Sequence, residues 1–585
     1  MEPGEPDSDM RHRAMTIRRG LCLQFTLLTP FGVFALFSDQ SQCGIPLYQH
    51  ISLPVYSLSI HEQTGHPVVR SFPSPVTVIP TTWPDRTMSR SPSDFHTYEN
   101  DVSTTNYLSP SHPHSHPPRS STDPTPSTEQ AFEELRERIK DDSFFSMRRF
   151  DVLHVLKRAF YKELDYLKWA YAAACPDPLD LNSSSPSELV FNKRIPEIDR
   201  TLTGILALRW LRNNDYELFT QNQATATKLS WSSFQQLRSL FDAGLNGYRD
   251  HEAVFTLIVM QMTNDLGKSS RLEAELQDRL PIGMRPSANH DMVMEQVLQY
   301  CDSLIPSFQR LPRQQKVLVR KLIRLSAEFN PGQLVQAECL PAVLNVLQEL
   351  RIEPIELDMK FMELFLDVAG ARGHVDHEGA ATMTEPTFQG YMEARIQSLN
   401  VVEGHLQPEQ AYERMLQHRL RMLPNAGYRG DFNIRSPKVS AKARLFCMGR
   451  VADATTATLY DDVYEGLPPY VQDRLERGLS LHARPAVQPT YMPAMLSWVR
   501  GPSRWLREEQ LAVLLTYLSR VLDLTEENLP HDVEIVERDV KGILEPLVQS
   551  DAFRKDPYSI VSDNTELPVM EIAKRSMAPS RPLRL

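Results

Sequence analysis

Cysteine is scarce in this chain of 585 residues: Cys22, Cys43, Cys175, Cys301, Cys339 and Cys447 form no CxxC or CxxH pair. Their scatter excludes the common zinc frameworks and a disulfide-stapled secreted scaffold, and it makes a reducing compartment the expectation. A glycine-rich dinucleotide fingerprint, a P-loop and a GxSxG elbow are also missing, so the usual signatures of nucleotide binding and serine hydrolysis are absent. Lys and Arg total 63 against 74 Asp and Glu, a net charge of -11. Without a basic stripe interleaved with aromatics, the chain lacks the surface that neutralises a nucleic-acid backbone, and no nucleic-acid partner is expected. Few runs alternate with period two, so strands are expected to be scarce. No repeat with a period of about 20 to 50 residues is present, which excludes a regular solenoid.

Long apolar runs are nearly missing as well. The exception is 21–37, interrupted by Pro30 and preceded by Arg11, Arg13, Arg18 and Arg19. That run is at the lower limit for crossing a bilayer, and no small-residue cleavage pattern follows it. A cytoplasmic protein is therefore the expectation, with membrane association through 21–37 as the alternative. Residues 1–64 read as an amino-terminal extension carrying this segment. Residues 65–127 are rich in Pro, Ser, Thr and His, as in SPSHPHSHPPRSSTDPTPS. Such a segment cannot bury enough apolar surface to offset chain entropy, so it reads as a disordered linker. His112, His114 and His116, alternating with Pro and Ser, could bind a soft metal weakly, but a solvated linker is the expected reading.

What is present is helical periodicity. Ser127 and Thr128 precede AFEELRERIKDD as a capped helix start. The following FDVLHVLKRAFYKELDYLKWAYAAA puts Val152, Val155, Leu156, Phe160 and Leu164 on one side, with His154 as an ordinary helical histidine. Further helices are expected over 198–211, 231–245, 251–265, 291–304, 314–329, 332–348 and 358–368. Asn330 caps an entry that Pro331 tolerates. TEPTFQGYMEARIQSL, AYERMLQHRLRMLP, SAKARLFCMGR and DAFRK continue the pattern, HARPAVQPTYMP is looser, and 505–524 is amphipathic. The fold class is mainly α: a large multi-helix bundle over 128–556, with a disordered N-terminal extension and a disordered C-terminal tail at 557–585.

The residues able to carry chemistry cluster around HEAVFTLIVMQMTNDLGKSS. Ala253 to Met262 is almost unbroken hydrocarbon and stops abruptly at Asn264, Asp265, Leu266, Gly267 and Lys268. A carboxylate there can bind a metal, and Lys268 can steady phosphate charge. An ordinary helix end, with Gly267 permitting a left-handed turn, accounts for the same residues equally well. Asn289, His290 and Asp291 open the next helix, where His and Asp can ligate a metal from adjacent positions, or Asn can simply cap. In KFMELFLDVAGARGH, Glu363 and Asp367 share a helix face surrounded by apolar groups. Buried carboxylates need compensation, by a metal or by an arginine such as Arg444 or Arg450. His374 would sit near the end of that helix. Gln333, Gln336, Glu338 and Glu385 are read as satisfying loop backbones, and Cys447 as a buried inert thiol.

The set NDLGK, NHD, QAE, DVAGARGH, EP and LFCMGR resembles an uncharacterised family of filamentous-fungal proteins over 150–556. Some members of that family lie beside natural-product genes, which implies an accessory or tailoring role in secondary metabolism. A more distant likeness is to HD-type metal phosphohydrolases. NDLGK is similar to their HDxGK, with Asp265 at the metal-binding aspartate and Lys268 at the lysine, but Asn264 replaces a histidine. In another register His290 and Asp291 form the doublet, with His251 before and Asp367 after. The resemblance implies a divalent metal ion held by Asp265, His290 and Asp291 with His251 or Asp367. It would activate water against a small-molecule phosphate ester, with Asp265 and Lys268 as catalytic residues. A non-catalytic helical binding or scaffold protein, with the same polar groups as caps and buried pairs, is the alternative.

Overall fold

The computed structural model describes residues 56–59, 68–71, 128–170, 183–287, 289–483, 486–523, 535–560 and 573–575. The apolar run 21–37 and the histidines at 112, 114 and 116 lie outside the described residues. The chain divides into two compact units, Met1–Pro117 and Pro118–Leu585. In the first, β1 (Tyr56–Ser59) pairs antiparallel with β2 (Val68–Ser71).

The second unit is mainly α. Its first helix, α1 (Thr128–Lys140), begins at the expected threonine and buries Ala131, Phe132, Leu135 and Ile139 at helical spacing. The next apolar stripe is buried as expected, but the helix is broken at Phe160 into α2 (Arg149–Ala159) and α3 (Tyr161–Leu167). Around the centre of the unit run α4 (Pro196–Asn213), α5 (Trp231–Gly244) and α6 (His251–Thr263). They are followed by α7 (His290–Tyr300), α8 (Arg313–Glu328), α9 (Pro354–Gly370) and α10 (Glu385–Val402). Every residue of α6 from Ala253 to Thr263 is buried, as a helix apolar on all sides requires. By contrast α8 buries only Val319, Leu322, Leu325 and Ala327, and turns its charged face outward.

The expected helix over 332–348 does not form as one piece. It is a short turn of helix at Pro331–Val335, a 3-10 turn at Pro341–Leu344 and another helical turn at Asn345–Glu349. Pro341 cannot donate to the ladder, and Ala337 has a φ of 50°, which no continuous helix accommodates. Asn330 does cap this entry, its Oδ1 accepting from Gly332 N at 2.8 Å. The loose HARPAVQPTYMP stretch contains a strand, β3 (Ala486–Thr490), parallel to β4 (Ile535–Asp539). β4 pairs antiparallel with β5 (Ala573–Arg575).

The crossing of α4 with α9 positions the site. Gly370 lies against α4 so closely that a β-carbon there would overlap Arg200 O and stand 2.8 Å from Gly204 N. Glycine lets the two backbones touch, and the charged side chains one turn away on each helix are thereby brought to one place. No helix among the described residues is long and apolar enough to cross a membrane.

Candidate functional site

Four elements bring charged side chains into the interior. The first turn of α4, opened by Pro196, carries Glu197 and Arg200. Asp265 and Lys268 come from the 3-10 turn Leu266–Lys268 and the residue before it, at the end of α6. Lys360, Glu363 and Asp367 share a face of α9. Asp291 comes from the start of α7, where Asn289 Oδ1 accepts from Asp291 N at 2.8 Å and Met292 N at 3.4 Å, so the asparagine of NHD is a helix cap.

Within this centre Lys268 Nζ lies 2.7 Å from Asp265 Oδ1 and 3.4 Å from Glu197 Oε2. Arg200 Nη1 is 2.9 Å from Glu197 Oε1, and Lys360 Nζ is 2.6 Å from Glu363 Oε2. Burial opposes ionisation of Asp265, yet Lys268 and Arg200 overcome it and hold its carboxyl well below the ordinary range. The remaining acids are pushed the other way. Burial raises Glu363 to about 7 despite Lys360, with Asp367 and Asp291 adding to the rise. Burial also raises Asp367, reinforced by Asp265, and raises Asp291 and Glu197 against the pull of neighbouring cations. Asp265, Glu197 and Asp367 in turn hold Arg200 in its charged form against burial. The acids Glu197, Asp265, Asp291, Glu363 and Asp367 outnumber the cations Arg200, Lys268 and Lys360, so protons must make up part of the balance.

Asp265 acts electrostatically on both Asp291 and Asp367, distant as they are in sequence, and Lys268, paired with Asp265, acts on both as well. His290 stands at the edge: its Nε2 is 3.7 Å from Asp291 Oδ1. His251 is elsewhere, because it opens α6 while Asp265 follows its end, and a helix of that length separates them by about 20 Å. His374, in the turn after α9, has a buried Nδ1 with no partner among the described residues; burial, then Arg200 and Arg372, hold its pKa down to about 4.

Other expectations are corrected. Gly267 is not left-handed; it is there because a β-carbon would overlap the His290 backbone. Arg444 and Arg450 are not the partners of Glu363 and Asp367. Arg444 donates to Ala337 O and Cys339 O at 3.0 to 3.3 Å, and Arg450 Nη2 to Gln336 Oε1 at 3.1 Å. The compensation comes from Lys360 and Arg200, which the sequence reading missed. Lys360 was detectable three residues before Glu363 on the same helix face, and Glu197 with Arg200 has the same spacing. The reading of Glu385 and Glu338 as backbone partners agrees with their bonds to Ser230 N at 2.8 Å and to Tyr491 N. Cys447 is buried, and burial pushes its thiol up, as an inert cysteine requires.

The implied metal fits this arrangement poorly. Lys268 makes the contact with Asp265 that an ion would need, and Glu363 is taken by Lys360. Among the described residues no three His, Cys, Asp or Glu side chains are grouped to hold a metal ion. As arranged, the Lys268 ammonium ties α4 to the turn after α6, Arg200 and Lys360 pair within their own helices, and Asp291 and Asp367 feel these cations only at longer range.

No curated protein and no solved structure matches the chain. The model of a family described only as a Family of unknown function (DUF6829) matches residues 153–560, a span close to that over which the NDLGK and DVAGARGH motifs resemble an uncharacterised family. The match covers more than half of the chain and takes in every element of the ionic centre, and the protein belongs to this family of unknown function.

Proposed function

We propose that the helical core is a non-catalytic binding or scaffold protein in which the buried ionic centre is structural. The observation that carries this reading is the commitment of each cation. Lys268 is held by Asp265 and Glu197, Arg200 by Glu197, and Lys360 by Glu363. A cation already neutralised in the ground state has little left to offer a developing negative charge, since catalysis requires an interaction that strengthens in the transition state. Removing one member of such a pair strands a buried charge, so the Lys268 pairs constrain how α4 and the Leu266–Lys268 turn sit together.

A second reading, a metal-dependent phosphate-ester hydrolase, is favoured by one observation: Asp291 and Asp367 have no lysine or arginine within ion-pairing distance among the described residues, so the centre has carboxylate to spare. Elemental analysis of the purified full chain, with a phosphatase and phosphodiesterase screen, separates the two. The structural reading expects no stoichiometric metal, no turnover, and a large loss of thermal stability in Asp265→Ala. Stoichiometric metal lost in a folded Asp367→Asn protein, or hydrolysis lost in a folded Lys268→Met protein, would overturn it in favour of the hydrolase.

A further inference from the structure

Away from the ionic centre a cavity of about 490 Å³ opens between the start of α2, the second half of α4 and the 376–378 turn. Its size is that of a small-molecule site, for which roughly 300 to 1,000 Å³ is usual. Phe145, Leu206, Trp210 and Leu218 give it an apolar wall, and Arg149 and Arg209 give it two guanidinium groups.

Neither guanidinium is neutralised by a described carboxylate at ion-pairing distance. Arg209 is buried; its Nε donates to Phe144 O at 3.1 Å and its Nη2 to Phe145 O at 3.0 Å and to Met147 O. Carbonyls fix the group in position without cancelling its charge. Arg149 has one long bond, from Nη2 to Ser184 O at 3.4 Å, and its buried Nε has no partner among the described residues. Burial accordingly lowers the pKa of both arginines, Arg209 to about 10, with nearby acids only partly opposing the effect. A buried cation in that condition is stabilised by an anion that enters beside it.

The rest of the lining narrows the choice of anion. Glu378 accepts from Ser183 Oγ at 2.6 Å and from Gln221 Nε2 at 3.4 Å, so its charge is solvated by neutral donors. Burial and Arg149 favour the neutral form of His377, which adds no positive charge. Glu378 and Asp215 on the wall offset the two arginines, so the lining carries no excess positive charge for a multiply charged phosphate, and a single negative charge set directly against the guanidinium groups is favoured over it. We propose that this cavity binds a small monocarboxylate with an apolar body, the carboxylate between Arg149 and Arg209 and the body against Trp210. The site shares no residue with the ionic centre and does not depend on how that centre is read.

Isothermal titration of the full chain with 3-phenylpropionate, 3-phenylpropionamide and inorganic phosphate tests the proposal. Expected is saturable binding of the acid, with the amide and phosphate weaker by about tenfold or more. Arg149→Gln should lose that preference and Arg149→Lys should keep part of it, both with unchanged circular dichroism, while Arg504→Gln, whose partners are Asp462 and Glu508, should bind as the parent does. Absence of saturable binding at millimolar acid, equal binding of acid and amide, or parental binding by a folded Arg149→Gln protein would each overturn it. If Arg149→Gln does not fold, the comparison of acid with amide on the parent chain decides alone.

Discussion

Gly267 and His290 touch backbone to backbone: a β-carbon on Gly267 would overlap the His290 carbonyl oxygen and stand 3.2 Å from its Cα. This contact, between the turn after α6 and the first residue of α7, sets Asp265 and Asp291 into one centre. Gly267→Ala has only backbone to push against, so the overlap cannot be relieved by a rotamer change. A loss of about 3 kcal/mol is expected, measured by urea unfolding. Unchanged stability would show that the turn and α7 are not packed this way.

Lys360 and Glu363 form a buried pair at 2.6 Å, so removing one partner is expected to be far worse than removing both. Lys360→Ala should lose about 3 to 5 kcal/mol because it strands the Glu363 carboxylate. Lys360→Met with Glu363→Leu should come within about 1 kcal/mol of the parent, since apolar groups of similar volume need no desolvated charge. A double-mutant cycle reads the difference. Additive losses would mean that the two side chains do not act as a pair.

Glu363 sets a pH dependence of definite sign. Its folded value of about 7 lies above its unfolded value, so between the two the folded chain keeps a proton that the unfolded chain has lost. Its contribution to stability is therefore complete below the unfolded value of about 4.3 and is lost as pH rises through about 7, amounting to about 3 kcal/mol. Asp265, held below its ordinary value, runs oppositely: its contribution is present above the unfolded value and disappears as pH falls through the folded one. Urea unfolding at about pH 5 and about pH 8 should show the parent losing more stability at the higher pH than does the double variant combining Lys360→Met with Glu363→Leu. Identical pH profiles would refute the assignment to Glu363.

Arg444 is fully buried and holds the broken segment that precedes α9. Its Nε and Nη2 donate to Ala337 O at 3.1 and 3.0 Å, and Nη2 also reaches Glu338 O at 3.4 Å and Cys339 O at 3.3 Å. Arg444→Met leaves Ala337 O and Glu338 O without this donor, while Cys339 O keeps its bond from Tyr412 Oη at 2.7 Å, at a cost of roughly 3 kcal/mol. Hydrogen exchange should accelerate over 331–344 before it does in α6. Exchange that rises uniformly would show that the clamp is not local.

The helices were legible because burial writes itself into spacing. Val152, Val155, Leu156, Phe160 and Leu164 lie on one side of any helix drawn through them, and all are buried. The asparagine caps at Asn289 and Asn330 were equally local and equally readable. Ala337 was not, because its left-handed backbone is sustained by Arg444 more than a hundred residues away. The parallel pairing of β3 with β4 was hidden for the same reason.

At the candidate site, the sequence alone determined that Glu363 and Asp367 occupy a buried helix face and need a counter-charge. Lys360 answers Glu363 from the same helix, but that Arg200 acts on Asp367 was decided by tertiary structure, through the contact of Gly370 with α4 that carries Arg200 to the face of α9. Local spacing specifies what a helix must bury, since periodicity and propensity act over a few residues. Partner choice follows from where backbones can approach, and those approaches join residues that the chain order keeps apart.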